Sequence, residues 1–261
     1  MKNLKSLFLI VLTISVTMLT GCLHIIEEAT FRNNGSGSYK MTLDMSEMKG
    51  MMDMFKGMGG DSTAMGMGLD STAIQGEGDY TPPAAADAPA TEDPMGGLGE
   101  QMSSVASTIK GLPGISNVVE IKDTTNFNFG YSFDFVDVAA LNRALKVINK
   151  DKYDSKVDEI FRFKGKTFER LPTGDLGAEM QKAMMSGGDE GEEGNMDMVK
   201  TFLADMSYEQ IYHFPDREVK KSDNKLGEIS GDGHTLSIKL KPFDEEQQNK
   251  KATVATKVKL K

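Results

Sequence analysis

A single cysteine, at position 22, and three histidines are found in the 261 residues. With one thiol available, disulfides, CxxC redox chemistry, cysteine-rich zinc sites and haem attachment are excluded. The fold therefore holds by burial alone. His24, His213 and His234 lie far apart and form no HExxH or HxH arrangement, so each reads as an ordinary strand or turn residue. No serine sits in a G-x-S-x-G elbow, and no glycine-rich stretch both follows a strand and opens a helix, as phosphate binding requires. The glycines of residues 57–68 have neither context. Basic residues are scarce as well. Once Lys2 and Lys5 leave with the leader, 28 of the 30 basic residues face 39 acidic ones, a formal charge of −11, and this disfavours nucleic acid as a partner.

The longest uncharged apolar run, residues 6–18, falls short of the roughly 20 residues a transmembrane helix needs. It follows Lys2 and Lys5 and ends in Leu19-Thr20-Gly21-Cys22, so residues 1–21 read as a secretory signal peptide. Leu19, Thr20, Gly21 and Cys22 match the bacterial lipobox. That resemblance implies a diacylglycerol on the Cys22 thiol, cleavage between Gly21 and Cys22, and acylation of the new amine with a fatty acid such as palmitate. Two or three chains hold stably, because each buried methylene contributes about 0.8 kcal/mol and one chain alone binds marginally.

The first part of the mature chain, residues 22–56, reads as a hairpin and a short helix. Residues 23–31 form one strand, Asn33-Asn34-Gly35-Ser36-Gly37 the turn, and residues 39–45 the partner, with Tyr39, Met41, Leu43 and Met45 alternating against polar residues. Ser46 caps a helix carrying Met48, Met52 and Phe55 on one side. Residues 57–99 lose all periodicity and read as a disordered Gly/Ala/Pro/Met-rich insertion. Residues 100–261 complete the domain. Order resumes near Leu98 with a helical stripe through Met102, Val105, Ala106 and Ile109 that Gly111 ends. A strand at 115–121 follows. Phe127, Phe129, Tyr131, Phe133 and Phe135 then alternate with Asn128, Gly130, Ser132 and Asp134, which predicts a strand with one buried face. Asp137 caps a helix with Val138, Leu141, Leu145 and Ile148 on one side, a natural cover for the aromatic face.

A second hairpin is expected over 160–163 and 167–171, helices over 180–185 and 196–206 around a solvated acidic loop at 186–195, and strands at 208–214, 218–222, 235–241 and 253–260. The fold class expected is α+β, a largely antiparallel sheet built from hairpins with covering helices and interrupted by the disordered insertion.

This order of features resembles the LppM-like (DUF3153-type) bacterial lipoproteins. The stretches that carry the resemblance are residues 22–43, the segment 114–145 around Gly130-Tyr131-Ser132-Phe133-Asp134-Phe135, and Tyr212-His213-Phe214-Pro215 followed by 231–238. The resemblance implies an envelope domain that handles a lipid or another envelope component. It supplies no catalytic residues. The insertion at 57–99 and the lack of a C-terminal transmembrane helix depart from the family pattern.

Two clusters invite metal chemistry. Met48, Met51 and Met54 have the Met-x-x-Met spacing that could chelate Cu(I), although methionine also fills apolar surface and Met45, Met48 and Met52 simply continue a core stripe. Asp189, Glu190, Glu192 and Glu193 lack the oxygen spacing of a calcium loop and read as a solvated charge run. Phe127, Phe129, Tyr131, Phe133 and Phe135 line either the core or a ligand pocket. The expectation is a non-enzymatic, lipid-anchored envelope lipoprotein without a cofactor, in the outer membrane. It contacts the membrane through its anchor and binds a lipid, a glycan or an envelope protein close to the bilayer. The competing readings are a scaffolding lipoprotein that recognises partners through its disordered insertion, a Met-rich copper binder, and a weak hydrolase.

Overall fold

The computed structural model describes residues 23–47, 98–149, 159–172, 206–244, 246–247 and 252–261. The chain opens with the antiparallel hairpin β1 (His24–Phe31) and β2 (Gly37–Asp44). Gly35, with φ at +82°, turns the chain, while the Asn34 side chain accepts from the Ser36 amide, the local bond that makes Asn a turn former. Gly37 has no alternative at its position, since a Cβ there would lie 1.7 Å from the Thr30 carbonyl oxygen.

Helix α1 (Leu98–Ile109) leads into β3 (Ile115–Asp123) and β4 (Asn128–Phe135), an antiparallel pair. Four of the five alternating aromatics, Phe129, Tyr131, Phe133 and Phe135, are buried on the inward face of β4. Phe127 departs from the expected alternation. It is half-buried and stands ahead of the strand with φ at +52°. The cause is the preceding turn, in which Asp123 Oδ1 accepts from the Thr125 and Asn126 amides. The chain must then pass through a left-handed residue to re-enter the sheet, where the Phe127 carbonyl accepts from the Met45 amide. Helix α2 (Val138–Ile148) starts where Asp137 accepts from the Ala140 amide at 2.7 Å, and it buries Ala140, Leu141, Ala144 and Leu145.

The remaining strands are β5 (Phe161–Lys164), β6 (Thr167–Arg170), β7 (Ser207–His213), β8 (Val219–Ser222), β9 (Gly227–Ile229), β10 (Thr235–Leu240) and β11 (Thr256–Leu260). They do not join one sheet. A seven-stranded sheet runs β3-β4-β2-β1-β7-β10-β9, and a separate four-stranded sheet runs β5-β6-β11-β8. The small sheet is antiparallel throughout, but the large one is mixed because β1 and β7 pair in parallel, His24 against Ser207 through Thr30 against His213. Pairing is largely antiparallel, as expected, but it is divided between two sheets and includes this parallel pair: a parallel partner needs a long crossover, and 183 residues separate His24 from Ser207.

One face of the large sheet carries the core. Phe133, Tyr39, Phe31 and Tyr212 from that sheet share a cluster with Ala106 and Ile109 of α1, Leu141 and Leu145 of α2, and Phe161, Phe168 and Val258 of the small sheet. Phe31 is its hub, with its ring 4.7 Å from Phe168, 5.7 Å from Phe135 and 5.7 Å from Phe161. Aromatic pairs at such separations contribute roughly 0.5–1.5 kcal/mol beyond the area they bury. The opposite face carries polar side chains, among them Glu28 between Lys40 and His213. Among the described residues, no helix is long and apolar enough to cross a membrane.

Candidate functional site

The alternation of β1 turns Ala29 and Phe31 inward, and by the same period of two it turns Glu27 inward as well. Glu27 retains 2% of its exposure. A carboxylate in such a place costs several kcal/mol in lost hydration unless it is paired and hydrogen-bonded, and the surrounding strands supply the partners. Glu27 stands opposite Gln210 on β7, so Tyr208 and Tyr212, two residues to either side, share its face. Tyr208 donates to Glu27 Oε2 at 2.6 Å, Tyr212 to Oε1 at 2.7 Å, and Tyr39 of β2 to Oε2 at 3.5 Å.

Arg170, the last residue of β6, reaches Oε2 from the small sheet with Nη2 at 3.3 Å and is 4% exposed. It also donates from Nη1 to the Leu171 carbonyl and lies 5.8 Å above the Phe161 ring. With the Gln210 amide turned to satisfy both its ends, its oxygen accepts from Arg170 Nε at 3.0 Å and its nitrogen donates to the Val254 carbonyl. A carboxylate accepts at about four positions, and this one receives three phenols and a guanidinium.

Burial pushes the pKa of Tyr39, Tyr208 and Tyr212 well above the ordinary tyrosine value, and the Glu27 carboxylate pushes in the same direction. The hydroxyls are thus fixed as donors. Beside them lies a cavity of about 50 Å³ lined by Glu27, Tyr39, Met41, Tyr131, Asn149 and Tyr208 among others. A polar-lined space of this size has room for ordered water. A wider, open groove of about 450 Å³ runs past Arg170, Leu171, Asn224, Leu226, Thr253 and Thr256.

The side chains singled out from the sequence fall in different places. Phe129, Tyr131, Phe133 and Phe135 pack in the core, with the Tyr39 ring 5.3 Å from Phe133, and only Tyr131 borders the small cavity; Phe129 is buried outside the main cluster. Phe127 is not with them. Cys22, Leu19, Thr20, Gly21, Met48, Met51 and Met54 lie outside the described residues, as do residues 57–97 and the acidic stretch 186–195. His24 bonds Ser207 across the β1–β7 pair, His213 bonds Glu28 and Thr235, and His234 Nδ1 meets the carbonyls of Phe214 and Arg217, which raises its pKa. Among the described residues, no three His, Cys, Asp or Glu side chains gather to hold a metal.

Sequence reasoning missed Glu27, Arg170, Tyr208, Tyr212 and Gln210 as a group. A signal was present in part: in the strand HIIEEATF, Glu27 occupies an inward position by the same alternation that buries Ala29 and Phe31.

Two outcomes follow. Glu27→Ala and Arg170→Ala each leave a buried charge without its partner and each lower unfolding free energy by about 3–5 kcal/mol, as measured by urea titration at neutral pH. Stability also falls at alkaline pH. The folded-state pKa values of the three tyrosines are raised, so their contribution is complete below the unfolded value of about 10 and is lost above it, by up to about 1.4 kcal/mol per pH unit for each tyrosine. Urea midpoints measured between pH 8 and 11.5 check this; a flat profile contradicts it.

No family model matches the sequence, and no curated protein matches it. Among solved structures, the chain is similar to the NMR structure of the folded domain of the Mycobacterium tuberculosis LppM protein, with 11% identity over 93% of this chain and 91% of that one. The TM-score is 0.37, a likeness that carries no argument about fold or function.

Proposed function

We propose that the protein is a non-enzymatic lipoprotein of the cell envelope, held by lipid on Cys22, whose folded body binds a lipid, glycan or protein partner close to the bilayer. The observation that carries this reading is the position at which folding starts. The carbonyl of Leu23, the residue after Cys22, already accepts from the Ser207 amide at 3.1 Å, and β1 begins at His24. The lipobox and the sheet thus meet with no linker between them, an arrangement that would mount the body rigidly on the membrane surface. Leu23 also occupies the place where an Asp would favour retention at the inner membrane, so the outer membrane is the proposed location.

A binding role, as opposed to catalysis, is supported by the interior chemistry. Glu27 is engaged with Arg170 and with three phenols, and the cavity beside them, about 50 Å³, is smaller than an ordinary substrate site. In cells fed labelled palmitate, the parent protein takes up label and sediments with membranes. Cys22→Ser loses the label and moves to the soluble fraction; equal labelling of both would reject the reading.

A further inference from the structure

The outward face of the small sheet concentrates positive charge in a chain whose formal charge is −9. Its side chains follow the strand alternation. Phe161, Phe168, Val258 and Leu260 turn into the core, while Arg162, Lys164, Lys257 and Lys259 are exposed. The register aligns them: Lys164 pairs with Thr167, Thr167 with Lys259, and Lys259 with Lys221. A single row across the sheet therefore reads Lys-Thr-Lys-Lys. Lys221 and Lys259 are direct cross-strand neighbours at about 5 Å, and Lys164 stands two strands, about 10 Å, from Lys259.

The acidic side chains nearby are already engaged, Glu169 with Lys257, Glu159 with Arg162 and Glu218 with Lys261. Lys164, Lys166, Lys221 and Lys259 have no ion pair among the described residues. Like charges directly opposite one another across a strand pair destabilise a sheet. Here the two lysines face each other without an intervening acid, so the sheet bears a cost that a bound anion would remove.

The row also lies at a definite end of the domain. The Lys166 carbonyl accepts from the Leu260 amide, Arg217 donates to the neighbouring Gly165 carbonyl, and the same Arg217 side chain bonds Asn33 in the turn beyond β1. Leu23 is at the other end of β1, eight residues before Phe31 along a strand rising about 3.3 Å per residue, so β1 separates the two ends by roughly 26 Å.

We infer that this row is the docking surface for a linear acidic glycan, a sugar chain bearing carboxylate or phosphate groups along its length. A straight line of lysines at intervals of about 5 and 10 Å matches repeated charges on an extended chain better than one headgroup. The row has no aromatic side chain on which bases could stack, which argues against a single-stranded nucleic acid. The choice of a polymer over the bilayer rests on the proposed anchor at Cys22, because the Gly165 turn next to Lys164 is tied to the end of β1 opposite that anchor.

The test uses the whole mature chain with Cys22→Ser, so that it stays in solution, and measures binding of fluorescent polygalacturonate, a linear carboxylate glycan. Neutral dextran, single-stranded DNA and phosphatidylglycerol vesicles form the comparison arms. The expected result is polygalacturonate binding that weakens about twentyfold between 50 and 200 mM salt, as for roughly three released counterions at the slope of a single-stranded polyanion, with no binding of dextran.

Lysine-to-glutamate substitution at 259 puts a carboxylate opposite Lys221. It therefore leaves the melting temperature equal or higher while weakening glycan binding at least tenfold, whereas Lys110→Glu, at the end of α1, leaves binding unchanged. Absence of glycan binding, full binding by a folded Lys259→Glu protein, or binding of vesicles or DNA in place of the glycan would each overturn the inference. None of these outcomes bears on palmitate labelling, which tests the anchor separately.

Discussion

A carboxyl group buried at 2% exposure sets the terms for the rest of this fold. Glu27 is stable in the core only where Tyr39, Tyr208, Tyr212 and Arg170 converge on it, and these four come from β2, β7 and the small sheet. A slip of β1 by one residue would turn Glu28 inward and Glu27 out, stranding every donor at once. The pair thus selects one register for the large sheet and one seat for the small sheet against it. Because hydrophobic replacements of buried ion pairs are often neutral or stabilising, its contribution is to the choice of structure more than to the depth of the energy minimum. The aromatic hub around Phe31 supplies burial without that selectivity, since rings tolerate repacking.

That locked frame gives the proposed function its geometry. The strand that carries Glu27 begins next to the lipobox, so the element fixed most firmly in the core would also bear the anchor. At the far end of the same strand, the turn at Asn33 is tied through Arg217 to the Gly165 turn of the small sheet. A force or an orientation imposed at the bilayer would pass along β1 to the lysine row without an intervening hinge among these described elements.

The parts of the structure that could be read in the sequence are those decided locally. The alternation from Phe129 to Phe135, the Asp137 cap with the spacing of Leu141 and Leu145, and the Asn34-Gly35 turn each depend on residues within a few positions of one another. Phe127 broke the pattern because the Asp123 side chain bonded the amides of the following turn, a competition that period counting does not register. The parallel β1–β7 pairing and the division into two sheets were hidden for a different reason. They depend on partners distant in the chain, 183 residues for His24 and Ser207 and 86 for Arg170 and Thr256, and an apolar strand carries no mark naming its neighbour. Arg170 was invisible for the same cause: its sequence context, a short strand end, resembles any exposed arginine, and only the tertiary position makes it the counter-ion of Glu27. The lysine row likewise needed the register of β11 against both β6 and β8 before three separate lysines became one line.

The dependence on the Glu27–Arg170 pair is measured most directly by a double-mutant cycle with Glu27→Gln and Arg170→Met, each variant unfolded in urea at pH 7. Contacting charges in one network couple, so the double variant is expected to be more stable than the sum of the single losses allows, with a coupling of about 3 kcal/mol. Additive losses, with the two substitutions behaving as independent sites, would contradict the claim that this pair holds the two sheets in register.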